Sequence, residues 1–275
     1  SHIMSHSSGL SGWKESIEYT DFYNWNKVCN LLANQEPFWE PGKAVGYHAI
    51  TIGYLVGELV KRVSGKTIGK FFEDEIAGPL KSDFHIGLKE KDFSRVAEIF
   101  MPGAITSGDL FENEDSESDV QKAQLNPSID PLYALEDDWR KSEIPAAGGH
   151  GNGKSLAECM ALVANNGEFN NRKILSKENL DNIFLEQILG IDLVFNKLTR
   201  WGIGFALPVK NNSWMGYFNN EQTCYWTGWG GSLSIADRKN NSSLGYSPIK
   251  MEEDVFGEER TNSIVKAYVE SLENI

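Results

Sequence analysis

Residues 223–237 read TCYWTGWGGSLSIAD. Two runs rich in β-branched and aromatic residues, Thr223 to Thr227 and Gly231 to Asp237, flank a glycine-rich corner, which is the pattern of two strands joined by a tight turn. Working outward, Gly202 to Leu207 and Ser243 to Ser247 are further short β-like runs separated by asparagine-rich turns. Strands at such spacing predict neighbours in one antiparallel sheet. After them, Ile264, Val265, Tyr268, Val269 and Leu272 fall on one side of a predicted helix over 261–272, placed to cover that sheet.

Upstream the period changes. Phe22, Trp25, Val28, Cys29 and Leu32 form one helical stripe over 21–33 behind Thr20 and Asp21. A second stripe, Ile52, Leu55, Val56, Leu59, Val60 and Val63, predicts a helix over 48–64 that Gly65 stops. Ile68, Phe71, Phe72 and Ile76 continue as a helix over 67–76 before Gly78-Pro79. Helices are also predicted over 156–165 and over 177–184 behind a Ser176 cap, with an irregular connection over 127–138 and a solvated acidic run over 109–119. Helices first, then an antiparallel meander and a closing helix is an α+β order.

With 275 residues and 40% hydrophobic content the chain buries a real core. Its net charge of −13 repels phosphate backbones and anionic membranes, so neither is expected as a partner. Cys29, Cys159 and Cys224 are too few and too far apart for a disulfide framework or a zinc knuckle, and are read as reduced thiols. No run of eighteen apolar residues and no leader pattern is present, so the expectation is a soluble, cytoplasmic protein without a membrane span. Ser1-His2-Ile3 before Met4 reads as an expression scar. Residues 1–4 are accordingly set apart as scar and start, 5–200 as a mainly helical region, and 201–275 as strands with a covering helix, all in one structural domain.

Several ordered motifs carry a resemblance. Residues 5–13, SHSSGLSGW, resemble the loop after the nucleophile helix in the penicillin-recognising serine hydrolases, in the branch of class C β-lactamases and esterases. Pro41-Gly42 with Tyr47-His48-Ala49 resembles that family's tyrosine element, Ile144 to Gly149 its approach to the next helix, and Tyr225 to Ser232 its Thr-Gly strand. The resemblance implies a β-lactamase/transpeptidase-like fold, a small-molecule ester or amide substrate, and no cofactor or metal. It also implies N-terminal strands and a Ser-x-x-Lys helix upstream of the tyrosine, for which residues 1–46 leave little chain. An uncovered sheet edge, and a homo-oligomer formed through it, are then expected.

In such enzymes a serine ester splits acyl transfer into two steps, and the serine must lose its proton as it attacks. By the resemblance Tyr47 is the general base. A free tyrosine titrates near ~10, so cations must lower it for that task. Trp226 occupies the place of the cation before Thr-Gly, which argues against recognising a substrate carboxylate. The same resemblance gives Trp226, Thr227, Gly228, Trp229 and His48 as substrate-binding residues, with the Trp229 N–H as an oxyanion donor. The competing readings are a structural tyrosine at a helix start and a partly buried helix histidine.

Ser11 with Lys14 keeps Ser-x-x-Lys spacing and is the candidate nucleophile pair. Ser247 with Lys250 is broken by Pro248, and Ser263 with Lys266 lies inside the closing helix. Residues 148–155, GGHGNGKS, satisfy a phosphate-loop pattern, yet no apolar strand enters it. The resemblance implies a β-lactamase-related serine hydrolase of esterase or amidase type, and the expectation is that this chain is inactive because the nucleophile motif is absent, with a non-catalytic binding or assembly protein on the same scaffold as the alternative.

Overall fold

The computed structural model describes all residues except 102, 104–105, 108–117, 170–171, 210–216, 219, 254–258 and 274–275. Helices pack on both faces of a strand region, and a separate helical core lies beside them.

The helical core forms from α1 (Trp25–Asn34), α2 (Thr51–Ser64) and the loops around them. The Asn24 side chain accepts from the Lys27 N–H and starts α1. Gly65, at φ 72°, ends α2 in the left-handed conformation that glycine adopts without a Cβ clash. Trp13, Phe22, Val28, Leu32, Tyr54, Trp139 and Ile144 fill the space between, and Tyr54 donates its hydroxyl to the Phe22 carbonyl at 2.8 Å. The third predicted helix begins as α3 (Ile68–Phe72) and passes into wider-pitch turns over Glu73–Ala77.

The connection read as irregular over 127–138, and the stretch just before it, contain short helices. α4 (Asp119–Gln124) is capped by Ser118, the turn Pro131–Leu135 by Asp130, and α5 (Asp137–Lys141) follows directly. None exceeds two turns, so none shows a hydrophobic period. Of the acidic run, Ser118 and Asp119 open α4, and the rest lies outside the described residues.

An antiparallel pair formed by β1 (His85–Ile86) and the distant β2 (Gly149–His150), and a short hairpin of β3 (Glu168–Phe169) with β4 (Arg172–Lys173), decorate this region. The phosphate-loop pattern resolves as strand, corner and cap. Asn152 accepts from the Ser155 N–H, and Ser155 Oγ donates to the Asn152 carbonyl, at the start of α6 (Gly153–Ala164). The Ser155 hydroxyl is thereby committed to the helix cap. The segment read as one helix over 177–184 is α7 (Lys177–Asp181) with a 3-10 turn, Asn182–Phe184.

The strand region begins at Ile188, earlier than the 201 boundary read from sequence. β5 (Ile188–Ile191) pairs antiparallel with β6 (Leu198–Trp201). Of the run 202–207 read as a strand, Ala206 alone is paired, bridging Trp201 on one side and Tyr225 on the other. The backbone there turns at Gly202 and Gly204, and a Cβ on Gly202 would collide with the Ile183 carbonyl. Ala206 thus joins the β5–β6 hairpin to the meander β7 (Thr223–Gly228), β8 (Ser232–Asp237) and β9 (Ser242–Tyr246), in the order β7-β8-β9.

Strand alternation divides the meander between two helices. Tyr225, Leu233 and Ile235 pack with Val265 of α8 (Glu259–Glu273), whereas Cys224 and Ala236 pack with Met160, Val163 and Ala164 of α6. The three cysteines are free and belong to separate elements. Among the described residues no helix is long and apolar enough to cross a membrane.

Candidate active site

Residues 5–13 run almost wholly buried between the Tyr47 loop and the sheet, behind an exposed Ser1-His2. Gly46, Gly42 and Phe38 donate their N–H groups to the carbonyls of His6, Ser7 and Gly9. Residues 1–3 take part: Ser7 N–H reaches the His2 carbonyl at 2.9 Å, and His2 Nδ1 lies 3.3 Å from Ser7 Oγ. The strip Ser5-His6-Ser7-Ser8 is polar and buried, so its groups must bond one another.

Those bonds fix two histidine tautomers. The His48 backbone N–H donates to His6 Nδ1 at 3.0 Å, so that nitrogen carries no proton. His48 Nδ1 lies 2.6 Å from the Gly46 carbonyl and must be the protonated nitrogen. His48 Nε2 is then an acceptor, and Ser8 Oγ donates to it at 2.7 Å. Burial holds His48 down at about 4 and His6 well below its ordinary value, so both are neutral at pH 7. His48 is fully buried, with both ring nitrogens bonded inside the protein.

Tyr47 sits on the opposite side of this strip, in an aromatic box. Its ring stacks on Phe195 at 4.9 Å and lies 5.0 Å from Trp226, while Trp201 and Trp226 approach to 4.5 Å. His6 closes the back of the box, 4.9 Å from Tyr47 and 4.2 Å from Trp201. The Trp226 Nε1–H donates to Tyr47 Oη at 2.9 Å. Burial pushes the Tyr47 phenol up to about 12, against the Trp226 bond that favours the phenolate, and the Asp192 carboxylate raises it further. None of these influences is a cation.

β7 brings Trp226, Thr227 and Gly228 to this place. Tyr225 exchanges both backbone bonds with Ala206, so by antiparallel alternation Thr227, two residues on, turns its N–H and C=O to the same side. Thr227 Oγ1 is buried without a partner. Trp229 lies beyond the strand: Gly228 pairs with Ser232, and residues 229–231 form a turn closed by the Gly231 N–H on the Gly228 carbonyl at 3.0 Å. Gly230 and Gly231 both hold positive φ, which ends the extended conformation expected through Trp229.

The structure does not bring Ser11 and Lys14 together. Ser11 Oγ is buried with no hydrogen-bond partner, and Lys14 Nζ lies 5.2 Å over the Phe38 ring. Two cavities, of about 200 and 170 Å³, lie in the helical region, and neither is lined by Tyr47 or by β7.

Sequence reading did not single out Asp192, Phe195 or Trp201. Asp192 left a faint signal, a lone carboxylate within the apolar run Ile191-Asp192-Leu193-Val194-Phe195.

A family model described as Beta-lactamase matches residues 1–267. The chain belongs to the Beta-lactamase family. Among solved Beta-lactamase-like structures, a family VIII carboxylesterase superposes with a TM-score of 0.87 at 32% identity, covering 98% of this chain and 70% of that one. A penicillin-binding protein homolog from Caulobacter crescentus gives 0.83 at 30% identity, over 98% of this chain and 70% of that one. The esterase/beta-lactamase LipL of Mycobacterium tuberculosis (strain ATCC 25618 / H37Rv) is 31% identical over 183 residues, 64% of this chain. That match spans 42% of LipL. Membership makes the chain a relative of esterase-type hydrolases with the β-lactamase/transpeptidase-like α+β fold.

Proposed function

We propose that residues 1–275 form the substrate-binding cleft of a β-lactamase-related, esterase-type hydrolase, and that this cleft takes a neutral ester or amide without forming an acyl-enzyme on any residue of this chain. The observation that carries the reading is that the partner of the buried Tyr47 hydroxyl is the neutral Trp226 indole, whose single bond does not offset the burial that pushes the phenol up. A base needs a cation nearby to become phenolate at neutral pH, and Tyr47 instead meets the Trp226 indole, a buried carboxylate and the rings of Phe195 and Trp201. The Ser11 hydroxyl, without a base, supports the same reading. Thr227, with backbone groups directed along the β7 edge, supplies a donor and an acceptor for a bound carbonyl compound.

The test is intact mass after incubation with a fluorophosphonate, together with near-UV circular dichroism in the presence of the neutral amide acetanilide. The expected result is no adduct and an acetanilide-dependent change in the aromatic bands that Trp226→Ala abolishes. A stoichiometric adduct on any serine, or no response to acetanilide, would overturn it.

A second reading, self-association through a sheet edge, is favoured by β5. Its side chains Leu189 and Ile191 are 49% and 56% exposed on an outer strand, which is the kind of edge that recruits another strand. Light scattering decides it, since a monomer mass at working concentration is incompatible with it.

A further inference from the structure

Asp192 is fully buried, directly after β5, and its carboxylate is held by backbone N–H groups. One oxygen, Oδ1, accepts three of them: Val194 at 2.8 Å, Phe195 at 3.1 Å and Tyr47 at 3.2 Å. Two of these donors are local and fold residues 192–195 into a turn around the carboxylate. The third comes from the loop before α2, 145 residues away in sequence. The other oxygen, Oδ2, is buried without a partner.

We propose that Asp192 is the positioning residue of the candidate cleft, a single carboxylate that pins the Tyr47 backbone to the 192–195 turn and so holds the Phe195 ring against the Tyr47 ring. The rings stack at 4.9 Å because their backbones share one acceptor. The Leu193 N–H on the Val45 carbonyl at 2.9 Å adds a second tie between the same two segments. From α4, Gln121 Nε2 donates to the Leu193 and Val194 carbonyls and closes the far side of the turn with a neutral side chain. Tyr47 is therefore the titratable group facing Asp192 across the contact, with Lys197 further along the same loop and His6 behind the Tyr47 ring.

A carboxylate suits this task better than an amide. Three N–H donors converging on one oxygen favour the charged acceptor, and charge-assisted bonds are roughly twice as strong as neutral ones. The same charge sits behind the cleft wall, where it opposes a second negative charge on Tyr47. The role assigned to Asp192 rests on the reading of Tyr47 as cleft wall, and the experiment below uses no ligand, so its failure is distinguishable from a failure of that reading.

The phenol of Tyr47 is titrated by ultraviolet difference absorbance in the wild type, Asp192→Asn and Asp192→Ala, each with Tyr47→Phe as the blank, and near-UV circular dichroism is recorded at pH 7. Asp192→Asn keeps an oxygen acceptor and is expected to retain the wild-type aromatic bands while the phenol titrates at lower pH. Asp192→Ala loses the acceptor and is expected to lose the stacked-ring bands. An unchanged phenol midpoint in Asp192→Asn, or wild-type bands in a folded Asp192→Ala, overturns the proposal. If the alanine variant does not fold, the asparagine titration decides alone.

Discussion

The indole N–H of Trp226 and the hydroxyl of Tyr47 meet at 2.9 Å across 179 residues of sequence. The strand residue that by the family resemblance stands in place of a cation gives the tyrosine a neutral donor, and burial, against that bond, keeps it a phenol. Replacing Trp226 by Phe keeps a ring in the box and deletes the donor. The expected cost is about 1 kcal/mol of unfolding free energy, the net contribution of one neutral hydrogen bond, read as a lower denaturant midpoint at unchanged slope. Trp226→Lys carries the opposite electrostatic sign. A cation beside the phenol should bring the Tyr47 titration down from its position at about 12, and an unchanged midpoint would show that the two side chains no longer meet.

Ser8 has one acceptor to satisfy, the Nε2 of His48, in a site with no room for bulk water. Ser8→Ala leaves that nitrogen buried and unbonded. A loss of about 1–3 kcal/mol is expected, read by urea unfolding at pH 7. A loss below the error of the measurement would mean that the Ser8–His48 bond does not tie the N-terminal segment to the Tyr47 loop.

Much of the fold was legible because it is local. The α2 stripe repeats at the helical period and ends at a glycine in the left-handed region, and the β7–β8 hairpin announces itself by alternation around Gly230 and Gly231. The short helices between residues 119 and 141 were not legible, because caps at Ser118 and Asp130 without two turns of periodicity look like any polar loop. The start of the sheet at Ile188 was hidden for a similar reason, since four-residue strands leave little alternation to read. Of the candidate site, Tyr47 and Trp226 could be named through the family resemblance. Their hydrogen bond could not, and neither could the burial of Asp192, because the third donor to its carboxylate lies 145 residues away. His48, named from the same motif, is turned into the protein by the Ser8 and Gly46 bonds.

Stability should fall on acidification between pH 6.5 and pH 4. The His48 pKa drops from 6.5 to about 4 on folding, so within that window the unfolded chain binds the proton that the folded chain refuses. The stabilisation this group supplies is complete above pH 6.5 and lost as pH falls to about 4, a change of about 3 kcal/mol. His6, also lowered, acts with the same sign. Asp192 acts with the other, because its pKa rises on folding from 3.8 to about 6 and its contribution is lost as pH rises through that range. Two histidines against one carboxyl leave a net loss toward acid. Urea midpoints at pH 7, 5.5 and 4.5 measure it, with a shallower dependence expected in His48→Gln, and a wild-type profile that is flat over this window would refute the account.

Gly245 of β9 lies directly against the first turns of α6. A methyl group on its Cα would sit 2.5 Å from the Ala157 nitrogen and 2.7 Å from the Leu156 Cβ, and would collide with the Gly153 carbonyl as well. Two of those three atoms are backbone, fixed by the Asn152 capping box and the helix hydrogen bonds, so no side-chain rotation relieves the contact. The helix must lift off the strand, taking with it the Ser243 Oγ bond to the Ala157 carbonyl, 2.9 Å long here. Gly245→Ala is therefore expected to cost about 3 kcal/mol, the upper end of what overpacking one methyl does, against a clearly smaller loss for Gly65→Asn at the open end of α2, where asparagine also adopts the left-handed conformation. Thermal unfolding of the two variants side by side separates close packing from simple loss of a glycine, since similar midpoints for both would show that α6 does not rest on β9 at this position.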